Sequence, residues 1–349
     1  MKAQSNKIFA TTAILLALCL CNFLQAQSIN IGIGFYNLEN LFDTVDDSLT
    51  QDEEFTPNGS KHWTEKLYQD KIGRLSNVIY QLSAEEKSSS LALLGVCEIE
   101  NRKVLEDLIQ SEKLKDFYFK IVHHNSPDLR GVDVALIYQP KYFTVLQSQS
   151  IRISLFEKDS TPRLTRDVLM VKGKIGNELL FVFVNHWPSR RGGEESKAFR
   201  LIAAKRVKHF ADSIALQNPE GKIIIMGDLN DNPDDESLTK VILAKPNPKG
   251  LKTTEFYNPY YKNYKNGEGT TPFDDAWNLF DQILLSKNLI SKNLNTDLHY
   301  QYHKIFKKSF MMEKYGHFKN HPKRTFSGDR YNYGYSDHFP VICYFKIQN

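Results

Sequence analysis

Several apolar segments of this chain end on side chains that could bind a cation or a phosphate. In residues 221–232, the apolar run 223–226 breaks at a glycine and leads directly into Asp228 and Asn230. A buried strand that ends in this way delivers polar groups to the carboxyl edge of a sheet, where ligands bind in open α/β sheets. The same pattern recurs at Asn37, Glu98, Asn185-His186, Asp281 and Asp337-His338. The recurrence predicts one shared pocket.

The chemistry of these side chains predicts a hard divalent cation and a phosphate substrate. Carboxylate and amide oxygens dominate, without a cysteine cluster or paired histidines at zinc spacing, which suits Mg²⁺, Mn²⁺ or Ca²⁺ rather than Zn²⁺. A divalent ion neutralises phosphate oxygens, and a histidine can serve as base or acid for the attacking water. Guanidinium groups in loops beside these segments could clamp phosphate oxygens, namely Arg190, Arg191, Arg324 and Arg330.

A structural role is the alternative for each of these residues. Asp228 and the polar residues after it could form an Asx-rich turn that follows a strand. Asn37 and Asp281 could cap strand ends or form hydrogen bonds in the core. Burying Asp228 without a partner would cost free energy, so its partner must be a cation, a hydrogen-bond donor or a ligand.

Strands that alternate with helices must position these groups. Apolar runs predict strands from residue 28 to residue 345, and helical spacing predicts helices over 63–82 and 194–214. No linker rich in Pro, Gly or Ser divides the chain, so residues 27–349 are predicted to form one α/β domain. Residues 246–275 and 287–334 are interpreted as long surface segments, and Asp281 is placed in the middle of a strand over 279–286.

The first residues of the chain have the composition of a secretory signal. Lys2 and Lys7 precede the apolar run 8–24, and Ala26 fits the cleavage site of a leader spanning residues 1–26. We therefore expect a secreted or periplasmic protein without a transmembrane anchor after cleavage. The formal charge of +4 falls to +2 once the two lysines are removed, which is too little to argue for electrostatic capture of nucleic acid.

Two cysteines remain after removal of the leader. Cys97 and Cys343 could pair in an oxidising compartment, but both lie in apolar runs. Buried thiols are therefore favoured over a disulfide.

The ordered motifs resemble those of the endonuclease/exonuclease/phosphatase superfamily, which has the DNase I-like fold. The resemblance covers nearly all of residues 28–346. It implies a four-layered α/β/β/α sandwich of two mixed β-sheets flanked by helices, and divalent-metal-dependent hydrolysis of phosphate esters. The motifs are Phe-Tyr-Asn37-Leu-Glu-Asn-Leu-Phe, Gly-Val-Cys-Glu98, Asn185-His186, Gly-Asp228-Leu-Asn230-Asp, Phe-Asp281-Gln-Ile and Ser-Asp337-His338-Phe-Pro-Val.

The resemblance also implies a metal centre and residues that bind the phosphate. Glu98 is similar to the principal Mg²⁺ ligand, assisted by Asn37. Asp337 is expected to contribute a further ligand to the metal. Asn230 is similar to the residue that binds the phosphate. Further contacts to the phosphate are assigned to Asn185, Arg190 and Arg324.

Acid–base roles follow from the same resemblance. Asp228 is similar to the residue that orients or deprotonates the water, and His338 to the catalytic histidine. Asp281 is similar to the carboxylate that fixes the tautomer of that histidine and raises its basicity. His186 stands where apurinic endonucleases usually have tyrosine. A histidine at this position resembles nonspecific nucleases, sphingomyelinases and phosphatases of the family.

Three classes of function remain open at this point. A phosphodiesterase, with an endonuclease-like activity, is the preferred interpretation. A phosphomonoesterase or a phospholipid or sphingomyelin headgroup hydrolase on the same scaffold is the alternative. A binding protein on a catalytically dead scaffold is disfavoured because the motif residues are all present. The expected partner is a phosphate ester substrate, and no stable protein partner is inferred.

Overall fold

Two mixed β-sheets packed face to face form the centre of the computed structural model, which describes residues 29–85, 89–274, 276–290 and 298–347. The predicted leader over residues 1–26 lies outside the described residues. The first sheet has six strands and the second has seven. Among the described residues, no helix is long and apolar enough to cross a membrane.

The elements succeed one another as the alternation of strand and helix signals predicts. The strands are β1 (Ile29–Leu41), β2 (Ser89–Ile99), β3 (Lys120–His123), β4 (Asp133–Tyr138), β5 (Thr144–Ile151), β6 (Leu155–Phe156), β7 (Pro162–Arg163), β8 (Val168–Ile175), β9 (Glu178–His186), β10 (Lys222–Asp228), β11 (Ala244–Lys245), β12 (Phe256–Tyr257), β13 (Thr271–Phe273), β14 (Ala276–Asn278), β15 (Asp281–Ser286), β16 (Leu298–Ile305), β17 (Phe326–Ser327), β18 (Arg330–Tyr331) and β19 (Val341–Ile347). The helices are α1 (Glu65–Ser83), α2 (Arg102–Ile109), α3 (Gly193–Gln217) and α4 (Tyr261–Lys265). Short 3₁₀ turns lie at Glu53–Phe55, Lys115–Phe117, Lys287–Leu289 and Ser309–Met311, and a π-helical turn spans Ser237–Ile242.

Each large sheet combines parallel and antiparallel pairs. The first has the strand order β16-β19-β1-β2-β4-β3, in which β1 and β2 are parallel. The second has the order β11-β12-β15-β10-β9-β8-β5, in which β10 is parallel to β9 and antiparallel to β15. In both sheets a long parallel pair therefore lies near the centre.

The central strands are apolar on both faces because each sheet is covered on both sides. Ile224 and Met226 of β10 pack between the two sheets, whereas Ile223 and Ile225 pack against α3. This explains why the run 223–226 lacks the alternation of a half-exposed strand. Three apolar clusters separate four layers, which confirms the predicted α/β/β/α sandwich.

The outer layers follow the predicted helical spacing. α1 and α2 cover the first sheet, and the buried apolar side chains of α1 recur every three or four residues at Ile72, Leu75, Val78, Ile79 and Leu82. α3 covers the second sheet with small side chains that allow close approach, namely Ala203, Ala204, Val207, Ala211 and Ala215. α1 and α3 match their predicted ranges, 63–82 and 194–214, to within three residues.

Three local expectations need correction. Asp281 is the first residue of β15 rather than a mid-strand residue, because the preceding residues 279–280 are not in the strand. The segment 287–334 contains β16, which pairs with β19 at the edge of the first sheet, and the segment 246–275 contains β12 and the fully buried Tyr260. β12 has only two residues and most residues of β16 are partly exposed, so neither segment contains the continuous apolar run that predicts a buried strand.

The two cysteines are confirmed as buried free thiols. Cys343 lies in β19 opposite Ile33 of β1, and Cys97 lies in β2 beside Asn37. The side chains therefore occupy different strands that are not adjacent, and no disulfide joins them.

Gly95 tests how tightly the two sheets pack. A Cβ atom at Gly95 would lie 2.5 Å from Met226 Sδ of the facing sheet, with Phe35 and Val184 also in contact. We expect Gly95→Val to lower the free energy of unfolding by ~1–3 kcal/mol, measured by urea denaturation. The control is Gly73→Ala on the exposed face of α1, where nothing lies within 4 Å, and it should stabilise by ~0.5–1 kcal/mol. Equal stability of the two variants would contradict close packing at Gly95.

Candidate active site

Three candidate residues form a row across the second sheet. Asp228, at the end of β10, pairs in register with His186 of the parallel strand β9 and with Asp281 of the antiparallel strand β15. Because β15 runs the opposite way, its first residue lies at the edge where β9 and β10 end. The register therefore brings together polar residues that are up to 95 positions apart in sequence.

The first sheet supplies the opposite side of the pocket. Asn37 lies near the end of β1, Glu98 near the end of β2, and His338 in the turn before β19. Both neighbours of β2 show a register irregularity next to Cys97, and Glu98 has the left-handed φ of 57°. The irregular pairing redirects the Glu98 carboxylate, as bulges at sheet edges often do.

Left-handed backbone geometry is concentrated around this edge. Glu39 and Asn40 have φ values of 47° and 53°, and Asn230 has a φ of 50°. Such conformations cost roughly 1–2 kcal/mol for residues other than glycine, although Asn tolerates them better than most. Backbone donors offset part of that cost, since Asn40 N donates to Glu98 Oε2 at 3.1 Å and Asn230 N donates to Asp228 Oδ1 at 3.0 Å.

His338 and Asp281 form a buried pair. His338 Nδ1 lies 2.7 Å from Asp281 Oδ2, and Nε2 lies 3.8 Å from Asp228 Oδ2. Burial acts to lower the pKa of His338, but the charges of Asp281 and Asp228 outweigh it and hold the pKa well above its ordinary value. With Nδ1–H directed at Asp281, Nε2 is the nitrogen that faces the other carboxylates.

Asp228 is buried at the meeting point of both sheets. Its Oδ2 accepts a hydrogen bond from Asn37 Nδ2 at 3.1 Å and also lies 3.8 Å from His186 Nε2. Burial raises the pKa of Asp228 to about 7, with Asp281 and Glu98 adding to the shift and His338 opposing it. A carboxyl group with such a pKa can accept and release a proton near neutral pH.

His186 is held as a neutral imidazole. Burial lowers the pKa of His186 well below its ordinary value, and the nearby Arg166 and Arg130 lower it further. Its Nε2 lies 3.6 Å from Glu98 Oε1, and its buried Nδ1 has no hydrogen-bond partner among the described residues. A neutral imidazole of this kind can donate to, or ligate, a group placed between it and the carboxylates.

Asn37 connects the two principal carboxylates. Its Nδ2 donates to Glu98 Oε1 at 3.2 Å and to Asp228 Oδ2 at 3.1 Å, while its Oδ1 accepts from Glu39 N at 2.8 Å. The amide nitrogen, rather than the oxygen, therefore faces the carboxylates. The predicted role of Asn37 as a metal ligand stays a prediction, and orientation of Glu98 is the role that its hydrogen bonds describe.

The donor set fits a divalent cation. Two groups have ligand atoms within 4.8 Å of one another, the first with Glu98, His186 and Asp228 and the second with Asp228, Asp281 and His338. Within the described ranges, no lysine or arginine lies within 4.0 Å of Glu98, Asp228 or Asp281, and the buried Asp281 Oδ1 has no partner. Concentrated negative charge without a basic side chain suits Mg²⁺ or Mn²⁺.

Asp337 and Arg324 lie at the rim of the site. Arg324 donates to Asp337 Oδ2 at 3.0 Å and lies 3.5 Å from Glu39 Oε1. Glu39 is buried, accepts from Thr325 N at 2.6 Å, and its pKa is raised to about 7 by burial and by Asp337. The side chain of Arg324 remains 56% exposed, so the guanidinium can still meet an incoming anion.

A phosphate contact by Asn185 stays a prediction, and the hydrogen bonds of its side chain are made within the protein. Asn185 is fully buried, its Nδ2 donates to the carbonyls of Phe183 and Met226, and its Oδ1 accepts from Trp187 Nε1 at 3.1 Å. These contacts fix the end of β9. The Asn185 side chain therefore holds in place the strand end that carries His186.

Arg190 is committed to the loops that flank the site. Its Nε donates to Asn230 O at 3.0 Å, one amino group donates to Asp235, and the guanidinium lies over the ring of Phe280. A phosphate contact by Arg190 stays a prediction.

Several supporting residues escaped the sequence analysis. Arg200 of α3 is buried, donates to Asp231 Oδ1 at 2.7 Å and approaches the Ser189 carbonyl, which joins the loops after β9 and β10. The sequence feature that could have indicated its burial is the position of an arginine on the apolar stripe of a helix. Arg166 donates to Trp187 O at 2.8 Å and to Asp128 at 3.1 Å, and nothing local in its sequence marks it as buried.

Ser336 links the last motif to the first sheet. Its hydroxyl donates to Asn37 O at 2.7 Å and accepts from His338 N at 3.1 Å. The serine of the Ser-Asp-His motif therefore sets the position of His338 relative to β1.

Structural comparisons place the same fold in proteins of very different sequence. TDP2 from Caenorhabditis elegans is 16% identical with a TM-score of 0.55, over 93% of this chain and 76% of that chain. TDP2 from D. rerio, solved with a single strand DNA product, is 14% identical with a TM-score of 0.53, over 91% and 99%. A mannosyl-6-phosphatase from Bacteroides thetaiotaomicron is 16% identical with a TM-score of 0.51, over 91% and 99%. At such identities the likeness shows the fold alone.

The sequence comparison identifies the family. No curated protein matches the chain. The sequence model described as the Endonuclease/Exonuclease/phosphatase family matches residues 32–347, which include every strand of both large sheets except the first residues of β1. The chain belongs to the endonuclease/exonuclease/phosphatase family.

Proposed function

We propose that this protein is an exported, divalent-metal-dependent hydrolase of phosphodiesters. The observation that carries the proposal is the His338–Asp281 pair, whose His338 Nε2 lies 3.8 Å from Asp228 Oδ2, while Asp228 also belongs to a second group with Glu98 and His186. Family membership supports hydrolysis of phosphoric esters. Export rests on the predicted leader over residues 1–26.

Glu98 is the principal residue proposed to hold the metal. It is the more exposed carboxylate of its group, with 15% of its side chain accessible, and it lies beside His186 and Asp228. Asp337 contributes from the rim. A divalent ion held there would supply charge that neutralises the phosphoryl oxygens and makes the phosphorus more electrophilic.

The protein's own residues supply the proton transfers. Asp228, with a pKa of about 7, orients the attacking water and accepts its proton. Asp281 holds the His338 ring by Nδ1, so that a proton on Nε2 stabilises the charge that develops on the phosphate. Asn230, fixed by its left-handed backbone beside Asp228, is proposed to bind a phosphoryl oxygen.

A substrate panel tests the proposal directly. The purified chain from residue 27 would be supplied with Mg²⁺ or Mn²⁺ and offered double- and single-stranded DNA, RNA, bis-para-nitrophenyl phosphate, para-nitrophenyl phosphate, sphingomyelin and inositol phosphates. Cleavage of diesters supports the proposal. Cleavage of monoesters alone would indicate a phosphatase activity instead of the proposed phosphodiesterase activity. A phosphatase is what the B. thetaiotaomicron neighbour is named. If the protein turns over none of these substrates, the proposed hydrolase activity is contradicted.

Removal of the proton-transfer groups should abolish most turnover. We expect His338→Asn and Asp228→Asn each to lower kcat by about 10²- to 10⁴-fold, because each loses a general acid or base. Initial rates on the best substrate of the panel would measure this. His209→Asn, on the exposed face of α3, is the matched control and should retain wild-type turnover. Near-normal kcat in either folded active-site variant would rule out these roles.

Metal dependence can be measured separately from acid–base chemistry. Chelation should abolish activity, and added Mg²⁺ or Mn²⁺ should restore it. We expect Glu98→Gln to raise the Mg²⁺ concentration for half-maximal rate by more than ~10-fold. Mutating a residue that only supports a metal ligand already costs about 10-fold or more in metal affinity. Glu112→Gln, an exposed carboxylate, should not change it. An unchanged metal requirement in Glu98→Gln would remove Glu98 from the metal site.

Asp281 should act as a positioning residue with a signature in the pH profile. The charge of Asp281 raises the pKa of His338, so protonated His338 persists to higher pH in the wild type than without that charge. In Asp281→Asn the pKa falls and the protonated form is lost at lower pH. We therefore expect the alkaline limb of kcat/KM to move to lower pH and kcat to fall. A lower kcat with an unmoved profile would indicate a purely structural role.

A further inference from the structure

A hairpin formed by residues 311–323 projects from the rim of the site. Main-chain hydrogen bonds close it, since Glu313 N donates to His321 O at 2.9 Å and Asn320 N donates to Glu313 O at 2.9 Å. Lys323 N donates to Met311 O at 2.8 Å at its base. We call residues 311–323 the aromatic hairpin.

The base of the aromatic hairpin is tied to the candidate active site. The two residues that follow it are Arg324, which contacts Asp337, and Thr325, whose N–H donates to the Glu39 carboxylate at 2.6 Å. Lys71, buried beneath them, donates to Thr325 Oγ1. The base of the hairpin therefore lies at the rim of the site, and the tip extends away from it.

Aromatic rings connect the hairpin tip to the catalytic segment. Phe318 lies 5.8 Å from His321, His321 lies 5.3 Å from Trp277, and Trp277 is stacked 6.1 Å from Phe339, the neighbour of His338. At the outer end, Phe318 is 60% exposed and Tyr315 is 84% exposed. Phe339 is buried and Trp277 is partly exposed, so the exposed tip rings Phe318 and Tyr315 are the ones on which planar groups can stack.

Basic side chains accompany these rings. Lys314, Lys319 and Lys323 lie on the hairpin with Glu313 as its one acid, and Arg324 follows directly. Lys307 adds a further charge, with its Nζ 5.2 Å from the Trp277 ring. The whole chain, by contrast, carries a net charge of only +4. Positive charge is thus concentrated where the rings are exposed, which suits a partner with regularly spaced phosphates.

We propose that the aromatic hairpin binds the unpaired bases of single-stranded nucleic acid, with Phe318 and Tyr315 stacking on bases and the lysines facing phosphates. Stacking requires bases that are free of a duplex, and the combination of rings with basic residues is typical of single-strand binding. The site beside His338 then receives the phosphodiester next to the bound strand. The role of this binding in turnover rests on the proposed phosphodiesterase activity. The binding itself does not depend on that proposal.

Binding can be measured without turnover. Fluorescence anisotropy of a fluorescein-labelled oligodeoxythymidine of about 12 nucleotides, in EDTA, gives Kd for the full chain and its variants. We expect Phe318→Ala to raise Kd roughly 5- to 100-fold, since one base loses its stacking partner. Phe156→Ala removes an equally exposed phenylalanine from the β6–β7 hairpin and should leave Kd unchanged. Lys319→Gln should reduce the slope of log Kd against log salt concentration by about 0.7.

The outcomes separate this inference from the proposed function. Failure of the wild-type protein to bind the oligonucleotide, or equal Kd values for Phe318→Ala and Phe156→Ala, would overturn the inference. Tighter binding of a duplex of the same length would also overturn it. Hydrolysis of bis-para-nitrophenyl phosphate by the wild type, measured in parallel with Mg²⁺, reports on the proposed function alone. Phe318 is exposed, so matched thermal melting should confirm that the variant is folded.

Discussion

The site depends on negative charge that the protein itself does not neutralise with basic side chains. Glu98, Asp228 and Asp281 meet at one edge of the two sheets, and in the described part of the chain only histidines lie within ion-pairing distance of them. Burial without compensation is costly for a carboxylate, which is why the pKa of Asp228 is raised to about 7. We propose that a divalent cation relieves this repulsion and at the same time binds a phosphate.

The fold is what allows these charges to be held so close together. Strands buried on both faces give rigid ends, and the antiparallel strand β15 starts where the parallel pair β9 and β10 stops. The irregular pairing around Glu98 and the left-handed residues Glu39, Asn40 and Asn230 then direct polar groups into the gap between the sheets. Strain of this kind persists only where surrounding structure holds it in place, here through backbone donors to Glu98 and Asp228.

Local patterns predicted much of this arrangement, and tertiary contacts account for the remainder. The run 223–226 indicated a strand buried on both faces, because apolar periodicity reports burial, and the polar residues after it marked the edge of the sheet. The edge strand β16 was missed because its alternating residues lie within a basic, aromatic segment that was interpreted as a surface loop. The direction of the Asn185 side chain at the end of β9 could not be read from sequence, and the burial of Arg166 depends on contacts with distant loops.

A direct metal-binding measurement tests most sharply whether these carboxylates form a metal site. Electron paramagnetic resonance of Mn²⁺ added to chelator-treated protein measures bound ions without any assumption about substrate. We expect saturable binding in the wild type that is strongly weakened in Glu98→Gln and retained in the surface variant Glu112→Gln. Wild-type protein that leaves Mn²⁺ free in solution at millimolar concentration, or Glu98→Gln that binds as tightly as the wild type, would contradict it.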